Sequence, residues 1–143
     1  LLERYRVTYG SYANTVSRFE QQTLCRFMEG GHFTRHLSRM RNVYKNRMER
    51  LCAALEEALG RDRIRLQGKH TGLHLLLTLE DGPGEAEMVR SARAVGAGLT
   101  GLSGYYLEHP EPCPPSTVII GYASLPDGEI PALAQALRRA WIV

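Results

Sequence analysis

Two lysines, three cysteines and a close pair of histidines are the side chains of this sequence best suited to covalent or metal chemistry. A lysine that forms a Schiff base needs a desolvated setting, whereas Lys45 falls on a charged helix face and Lys69 in a loop. His32 and His36 are four residues apart, but the glutamate of a zincin motif is absent. The sequence therefore predicts no Schiff-base lysine and no metal site.

The cysteines and the known catalytic motifs give no site either. Cys25, Cys52 and Cys113 form no CxxC pair, and their odd number argues against a disulfide framework. Because Cys25 and Cys52 stand among apolar residues at helix-interior positions, we expect both to be buried, reduced thiols of a cytoplasmic protein. The sequence contains no P-loop, no GxGxxG after a strand and no GxSxG motif.

Composition is typical of a globular domain. The 143 residues are 43% hydrophobic and 23% charged, and no apolar run reaches the roughly 18–20 residues of a membrane span. Residues 1–5 carry neither an initiator Met nor a signal-peptide pattern, so we expect the chain to be part of a longer protein. Seven basic residues lie in the segment 26–50. They allow nucleic-acid binding, although a solvated helix face is the commoner explanation.

Helix signals dominate the first 60 residues. Ser17 and Glu20 fit a capping box, which predicts a short helix that ends at a pair of glycines. Apolar side chains then recur at steps of three or four through residues 32–59, which predicts one long helix that ends at Gly60. Residues 1–14 have no clear period, so we expect an irregular lead-in.

The rest of the chain alternates short apolar runs with two helix patterns. Strands are predicted at residues 63–66, 73–79, 99–102 and 118–123, and helices at 85–95 and after Asp127 as the cap. This order predicts an α+β domain of two layers, with helices covering one face of a small sheet. The expected core joins the long helix to the strands through Leu37, Met40, Tyr44, Leu51, Leu55, Leu75, Leu77 and either Ile119 or Ile120.

Four phrases of the sequence fit one known family. They occupy residues 20–41 together with 44–51, residues 71–74, residues 98–103 together with 105–106, and residues 119–125. They follow the family's order and cover nearly the whole chain from residue 20. They resemble the aminotransferase-like region of MocR/GabR-type bacterial transcription regulators, a branch of the GntR family. The first phrase, which matches the pattern GHF-RH-RRMR, is the specific one.

The resemblance implies the small C-terminal subdomain of a fold-type-I aminotransferase-like region, spanning residues 31–143 after an interdomain segment at 1–30. Full-length members join this region to an N-terminal winged helix-turn-helix domain that binds DNA. They bind pyridoxal phosphate (PLP) through a lysine and are usually homodimers. The upstream large subdomain and the winged-helix domain would be the partners of this chain, with no membrane involved. Because the cofactor lysine would lie upstream, we expect no catalytic and no cofactor-binding residue in this chain.

The resemblance also gives three candidates for a ligand pocket. His74 begins a strand near the family's pocket, and Ser103 and Tyr105 lie on a turn that can face the cofactor side. A backbone-bonded histidine and a purely structural turn are the alternatives. Working aminotransferases commonly place an arginine on the strand at residues 119–122, and many family members carry one where this chain has Gly104. Both arginines are missing here, which removes the usual bidentate clamp for a substrate carboxylate.

The sequence thus favours the effector part of a ligand-responsive, DNA-binding transcription regulator. One alternative is the C-terminal part of a true PLP-dependent aminotransferase, which would need the missing carboxylate arginine. A second alternative is a free-standing basic module that binds nucleic acid through residues 26–50.

Overall fold

The computed structural model describes residues 2–11, 16–69, 72–106 and 113–142. Its helices and strands, in chain order, are α1 (Leu2–Tyr9), α2 (Arg18–Glu29), α3 (His32–Leu59), β1 (Ile64–Gln67), β2 (His74–Leu79), α4 (Glu85–Ala94), β3 (Thr100–Gly101), β4 (Thr117–Gly121) and α5 (Ile130–Trp141). They divide into two compact units, residues 1–40 and 41–143, and the division falls within α3. The domain boundary predicted at residue 30 stays a prediction about the longer protein.

Helix α1 contradicts the predicted irregular lead-in. Thr8 donates a hydrogen bond from Oγ1 to the carbonyl of Arg4 at 2.9 Å, and the rings of Tyr5 and Tyr9 lie 5.5 Å apart. Both contacts join residues four positions apart, which are neighbours on a helix surface. The helix buries no residue, so the sequence had no apolar period by which to reveal it.

Helix α2 begins at the predicted capping box. The Ser17 hydroxyl accepts a hydrogen bond from the Glu20 amide at 3.2 Å, and the Glu20 carboxylate accepts one from the Ser17 amide at 3.1 Å. The helix ends before Gly31, which has φ +71°. The prediction that Cys25 is buried is wrong, because α2 contributes no residue to the core and the Cys25 thiol is exposed.

Helix α3 has the predicted bounds, and Gly60 ends it with φ +92°, a conformation that glycine adopts at little cost. Its apolar stripe joins the core from Tyr44 onward, whereas Leu37 remains 39% exposed and Met40 half-buried. All members of the core lie in the second unit. No helix in the described ranges combines the length and apolar character needed to cross a membrane.

The sheet is antiparallel, with strand order β1-β2-β4-β3 in the described part of the chain. Side chains alternate between its faces. One face meets helices α3, α4 and α5 in a single core, which confirms the two-layer α+β prediction. That core includes Leu51, Leu55, Leu75, Leu77, Val118, Ile120, Met88, Ala134, Leu137 and Trp141.

Cys52 lies within this core and confirms one cysteine prediction. It is 6% exposed, and its Sγ lies 3.7 Å from the sulfur of Met48. Burial raises the pKa of the Cys52 thiol above its ordinary value. The thiol is therefore protonated and unreactive at neutral pH, as expected of a packing residue.

Asp127 does not cap the last helix as predicted. It lies in a 3-10 turn at Asp127–Glu129, and its carboxylate accepts hydrogen bonds from Nε of Arg47 at 2.7 Å and from Nη1 of Arg50 at 3.1 Å. Arg47 also donates from Nη1 to the carbonyls of Tyr122 and Ala123, at 3.4 and 2.5 Å. Two guanidinium partners, absent from any local sequence pattern, thus hold the carboxylate and fasten the connection between β4 and α5 to α3.

The core packing gives a stability prediction. Replacing Leu51 or Leu77 by alanine should lower the free energy of unfolding by roughly 2–5 kcal/mol, because both side chains are fully buried. Leu37→Ala is the matched control, and its exposed side chain should give a loss of about 0.5 kcal/mol or less. Urea unfolding followed by circular dichroism measures all three. Equal losses at Leu37 and Leu51 would contradict this packing.

Candidate functional site

A cavity of about 370 Å³ opens on the sheet face opposite the helical layer. It collects residues from the strands β2, β3 and β4 and from the turns beside them. Its lining consists of Leu73, His74, Gly98, Thr100, Tyr105, Ile119, Gly121, Ala123 and Ser124. The volume lies in the range of small-molecule sites, and these residues make the cavity the candidate functional site.

The strand register positions the His74 ring. His74 on β2 is paired with Gly121 on β4, and partners in antiparallel strands share a face of the sheet. A Cβ added at Gly121 would lie 3.4 Å from Cδ2 of His74. The imidazole therefore lies directly beside position 121, at ordinary van der Waals distance from where a Cβ would be.

Ile119 forms the middle of the cavity wall. It is paired with Leu76 on β2 and with Thr100 on β3, and it is half-buried. The corresponding strand of working aminotransferases carries the carboxylate-binding arginine, whereas the residues that line this cavity include no arginine or lysine. The His74 ring and the hydroxyls of Thr100, Tyr105 and Ser124 are the polar side-chain groups that the cavity offers a ligand.

Of the three sequence-predicted candidates, the structure brings His74 and Tyr105 to this cavity and directs Ser103 elsewhere. The Glu85 carboxylate accepts hydrogen bonds from the Ser103 amide and hydroxyl, at 2.8 and 2.5 Å. Gly101 leaves room for that carboxylate, since a Cβ there would collide with it. The contacts of Ser103 therefore favour the structural alternative, and a ligand role for His74 and Tyr105 stays a prediction.

Sequence reasoning missed Glu85, which holds the turn that carries Tyr105. The sequence pattern marks Glu85 only as the start of α4, and its partner Ser103 is 18 residues away. The glycine at position 101 next to a Leu-Ser turn was the one local signal that a side chain from elsewhere fills that space. The described residues contain no cluster of three His, Cys, Asp or Glu side chains able to hold a metal ion.

Gly104 is the second place where the family pattern has an arginine. It is exposed, and no heavy atom of the described residues lies within 4 Å of a Cβ built there. The chain therefore lacks that arginine although its backbone has space for one.

Comparisons with known proteins fit these observations. No protein-family model matches the chain. It is 30% identical over 141 residues to the Bacillus subtilis protein called "Uncharacterized HTH-type transcriptional regulator YdeL", covering 99% of this chain and 30% of that protein. It is 35% identical over 127 residues to the B. subtilis regulator YhdI, covering 89% of this chain and 26% of that protein. The chain thus spans less than a third of the length of these relatives.

Solved aminotransferases share the fold at low sequence identity. The α-aminoadipate aminotransferase LysN of Thermus thermophilus, complexed with N-(5'-phosphopyridoxyl)-L-leucine, superimposes with a TM-score of 0.77 at 19% identity, over 94% of this chain and 33% of that one. The Pyrococcus horikoshii kynurenine aminotransferase superimposes with a TM-score of 0.68 at 21% identity, over 80% of this chain and 28% of that one.

The fold is therefore that of the small C-terminal subdomain of fold-type-I aminotransferases, with the long helix α3 leading into it. Together, this fold and the sequence relatives match the chain to the aminotransferase-like region of HTH-type transcriptional regulators of the MocR type. They confirm the resemblance that the four sequence phrases carried.

The Glu85 contact yields a prediction about the turn. Glu85→Gln should lower the free energy of unfolding by about 1 kcal/mol and raise amide hydrogen exchange at residues 102–105, because two charge-assisted hydrogen bonds are weakened. Glu87→Gln is the control in the same helical turn, where the carboxylate bonds only to the exposed Arg90. A change of about 0.5 kcal/mol or less is expected there. Unchanged exchange in Glu85→Gln would contradict the assigned role.

Proposed function

We propose that this chain is the small subdomain of a ligand-responsive, PLP-binding transcription regulator, and that it supplies a wall without arginine or lysine to the ligand pocket. The cavity beside Ile119, with His74 and Tyr105 and without an arginine, is the observation that carries the proposal. The regulator relatives support it from the sequence side. DNA would be bound by a helix-turn-helix domain elsewhere in the longer protein.

The described residues do not by themselves fit pyridoxal phosphate. Lys45 lies 3.9 Å from Glu49 and is 69% exposed, and Lys69 lies 3.4 Å from Glu56 and is 37% exposed. Neither lysine has the desolvated setting of a Schiff base, and neither lines the cavity beside Ile119. In the proposal, the cofactor is therefore held by the rest of the longer protein, in a cytoplasmic homodimer.

The chemistry of the cavity limits what this subdomain adds to ligand binding. A cavity without a fixed cation selects ligands by shape and by hydrogen bonds from the His74 ring and the Tyr105 hydroxyl. A ligand that contacts both this wall and the rest of the pocket favours the arrangement in which the two are close together. The DNA-binding domain would respond to that shift in population.

A true aminotransferase is the second candidate, because the solved structures that share this fold are aminotransferases. The same cavity argues against it, because a substrate carboxylate meets no arginine from this chain. The basic-module alternative is weakened by the ion pairs of Arg47 and Arg50 with Asp127.

The test of the regulator proposal uses the full-length protein with its own upstream DNA. PLP together with at least one amino acid from the proteinogenic set should change DNA affinity by about 5–150-fold, as measured by fluorescence anisotropy. His74→Ala and Tyr105→Phe should reduce that response and leave the affinity without ligand unchanged. His36→Ala, an exposed histidine outside the cavity, is the control. Steady release of a 2-oxo acid without any effect on DNA binding would favour the enzyme instead.

Helix α2 leads to a prediction about self-association. Phe19 is 78% exposed, Leu24 54% and Met28 51%, and apolar patches of this kind tend to recruit a partner. The first 35 residues either pair with a second copy of the chain or stay mobile, and we expect pairing because these apolar side chains are exposed. Phe19→Ser with Leu24→Ser should shift sedimentation velocity profiles toward the monomer, whereas Val95→Ser, at an exposed valine of the second unit, should not. The wild-type chain and the variant are measured at the same series of concentrations. A wild-type chain that sediments as a monomer throughout that series would refute the prediction of self-association.

A further inference from the structure

A second cavity, of about 490 Å³, lies between the middle of α3 and the start of β2, wholly within the second unit. We call it the α3 cavity. Its volume suits a small molecule, and it shares only Leu73 with the cavity beside Ile119. Its lining consists of Arg41, Tyr44, Lys45, Met48, Glu49, Lys69, Gly72, Leu73 and Tyr122.

The rim of the α3 cavity carries an excess of positive charge. Three basic side chains, from α3 and from the loop after β1, face one lining carboxylate, Glu49. That carboxylate lies 3.9 Å from Lys45 with both side chains largely exposed, so the pair is weak. Among the described residues, Arg41 forms no ion pair. An anion at the rim would therefore meet cations with little competition from carboxylates on the protein.

Lys69 is the exception, because it has a partner outside the lining. Its Nζ lies 3.4 Å from Oε1 of Glu56, while Arg61 donates to Oε2 of the same carboxylate at 2.8 and 3.0 Å. The hydrogen bond from Arg61 lowers the pKa of Glu56, which keeps that carboxylate charged. Arg61 and Lys69 thus share the single negative charge of Glu56, and the three side chains together keep a net positive charge.

The floor of the α3 cavity is apolar and held in place. Met48 is 6% exposed and Tyr122 3%. The Tyr122 hydroxyl donates to the carbonyl of Gly72 at 2.8 Å, so the ring lies fixed against the start of β2. The Arg47 guanidinium lies over the Tyr44 ring, 6.0 Å from its centroid, at the limit of a cation–π contact. Aromatic faces with a polar edge suit the body of a planar ligand.

We propose that the α3 cavity is a binding site for a small organic anion with an aromatic or other flat apolar body. The body lies on Tyr44, Met48 and Tyr122, and the carboxylate or phosphate group meets the basic rim. A merely solvated helix face would place its cations on one element, whereas Lys69 comes from a different element than Arg41 and Lys45. The inference is independent of the regulator proposal and goes beyond it.

The test is a nuclear magnetic resonance titration of the ¹⁵N-labelled 143-residue chain at low salt. The probes are phenyl phosphate, benzoate, inorganic phosphate and benzyl alcohol. Phenyl phosphate or benzoate should shift the amides of Tyr44, Lys69 and Leu73 with a Kd on the order of 1 mM, the scale that a ligand of this size reaches. Inorganic phosphate and benzyl alcohol, which each lack half of the recognised chemistry, should bind at least ~5-fold more weakly.

Variants assign the binding to the rim. R41Q with K69Q should weaken the aromatic anion by ~10-fold or more, since two charge-assisted contacts are lost. R41K with K69R, which keeps both charges, should retain affinity within ~3-fold. R93Q with R138Q removes the same amount of charge from exposed sites elsewhere, and its affinity for the aromatic anion should also stay within ~3-fold of the wild-type value. Affinity unchanged in R41Q with K69Q, shifts outside the cavity only, or equal binding of benzyl alcohol would overturn the proposal.

Discussion

The burial of one face of strands β2 and β4 is the constraint on which the rest of this structure depends. Leu75 and Leu77 of β2 and Ile120 of β4 are fully or almost fully buried against the helical layer. Since side chains alternate along a strand, fixing these residues inward fixes His74 and Ile119 outward. A slip of one residue would exchange the core with the cavity wall, so the energetics of the core protect the geometry of the candidate site.

Two long-range polar contacts hold the turns that flank the strands in place. Glu85 holds the Leu-Ser turn through Ser103, and Arg47 holds the connection after β4 through Asp127 and the carbonyl of Ala123. Each uses a charged side chain with several hydrogen bonds, the kind of contact that fixes a loop most firmly. The cavity beside Ile119 is bordered by both turns, which gives it a defined shape without a bound ligand.

Two cavities of the second unit differ in chemical character. The one beside Ile119 is lined by apolar and hydroxyl-bearing residues and by one histidine, His74, without arginine or lysine. The α3 cavity concentrates basic side chains over an apolar floor. Of these two cavities, only the α3 cavity presents arginine and lysine side chains to a ligand.

Local patterns in the sequence predicted the family and most of the elements, although not helix α1. The bounds of α3, the capping box at Ser17 and the α+β layering all rest on contacts between near neighbours or on apolar periodicity, which a sequence displays directly. Only the tertiary structure decided that Cys25 is exposed, that Asp127 binds α3 instead of capping α5, and that Glu85 binds Ser103. The last two outcomes depend on partners 18 to 80 residues distant, and the pairing of such distant polar groups leaves no periodic trace in a single sequence.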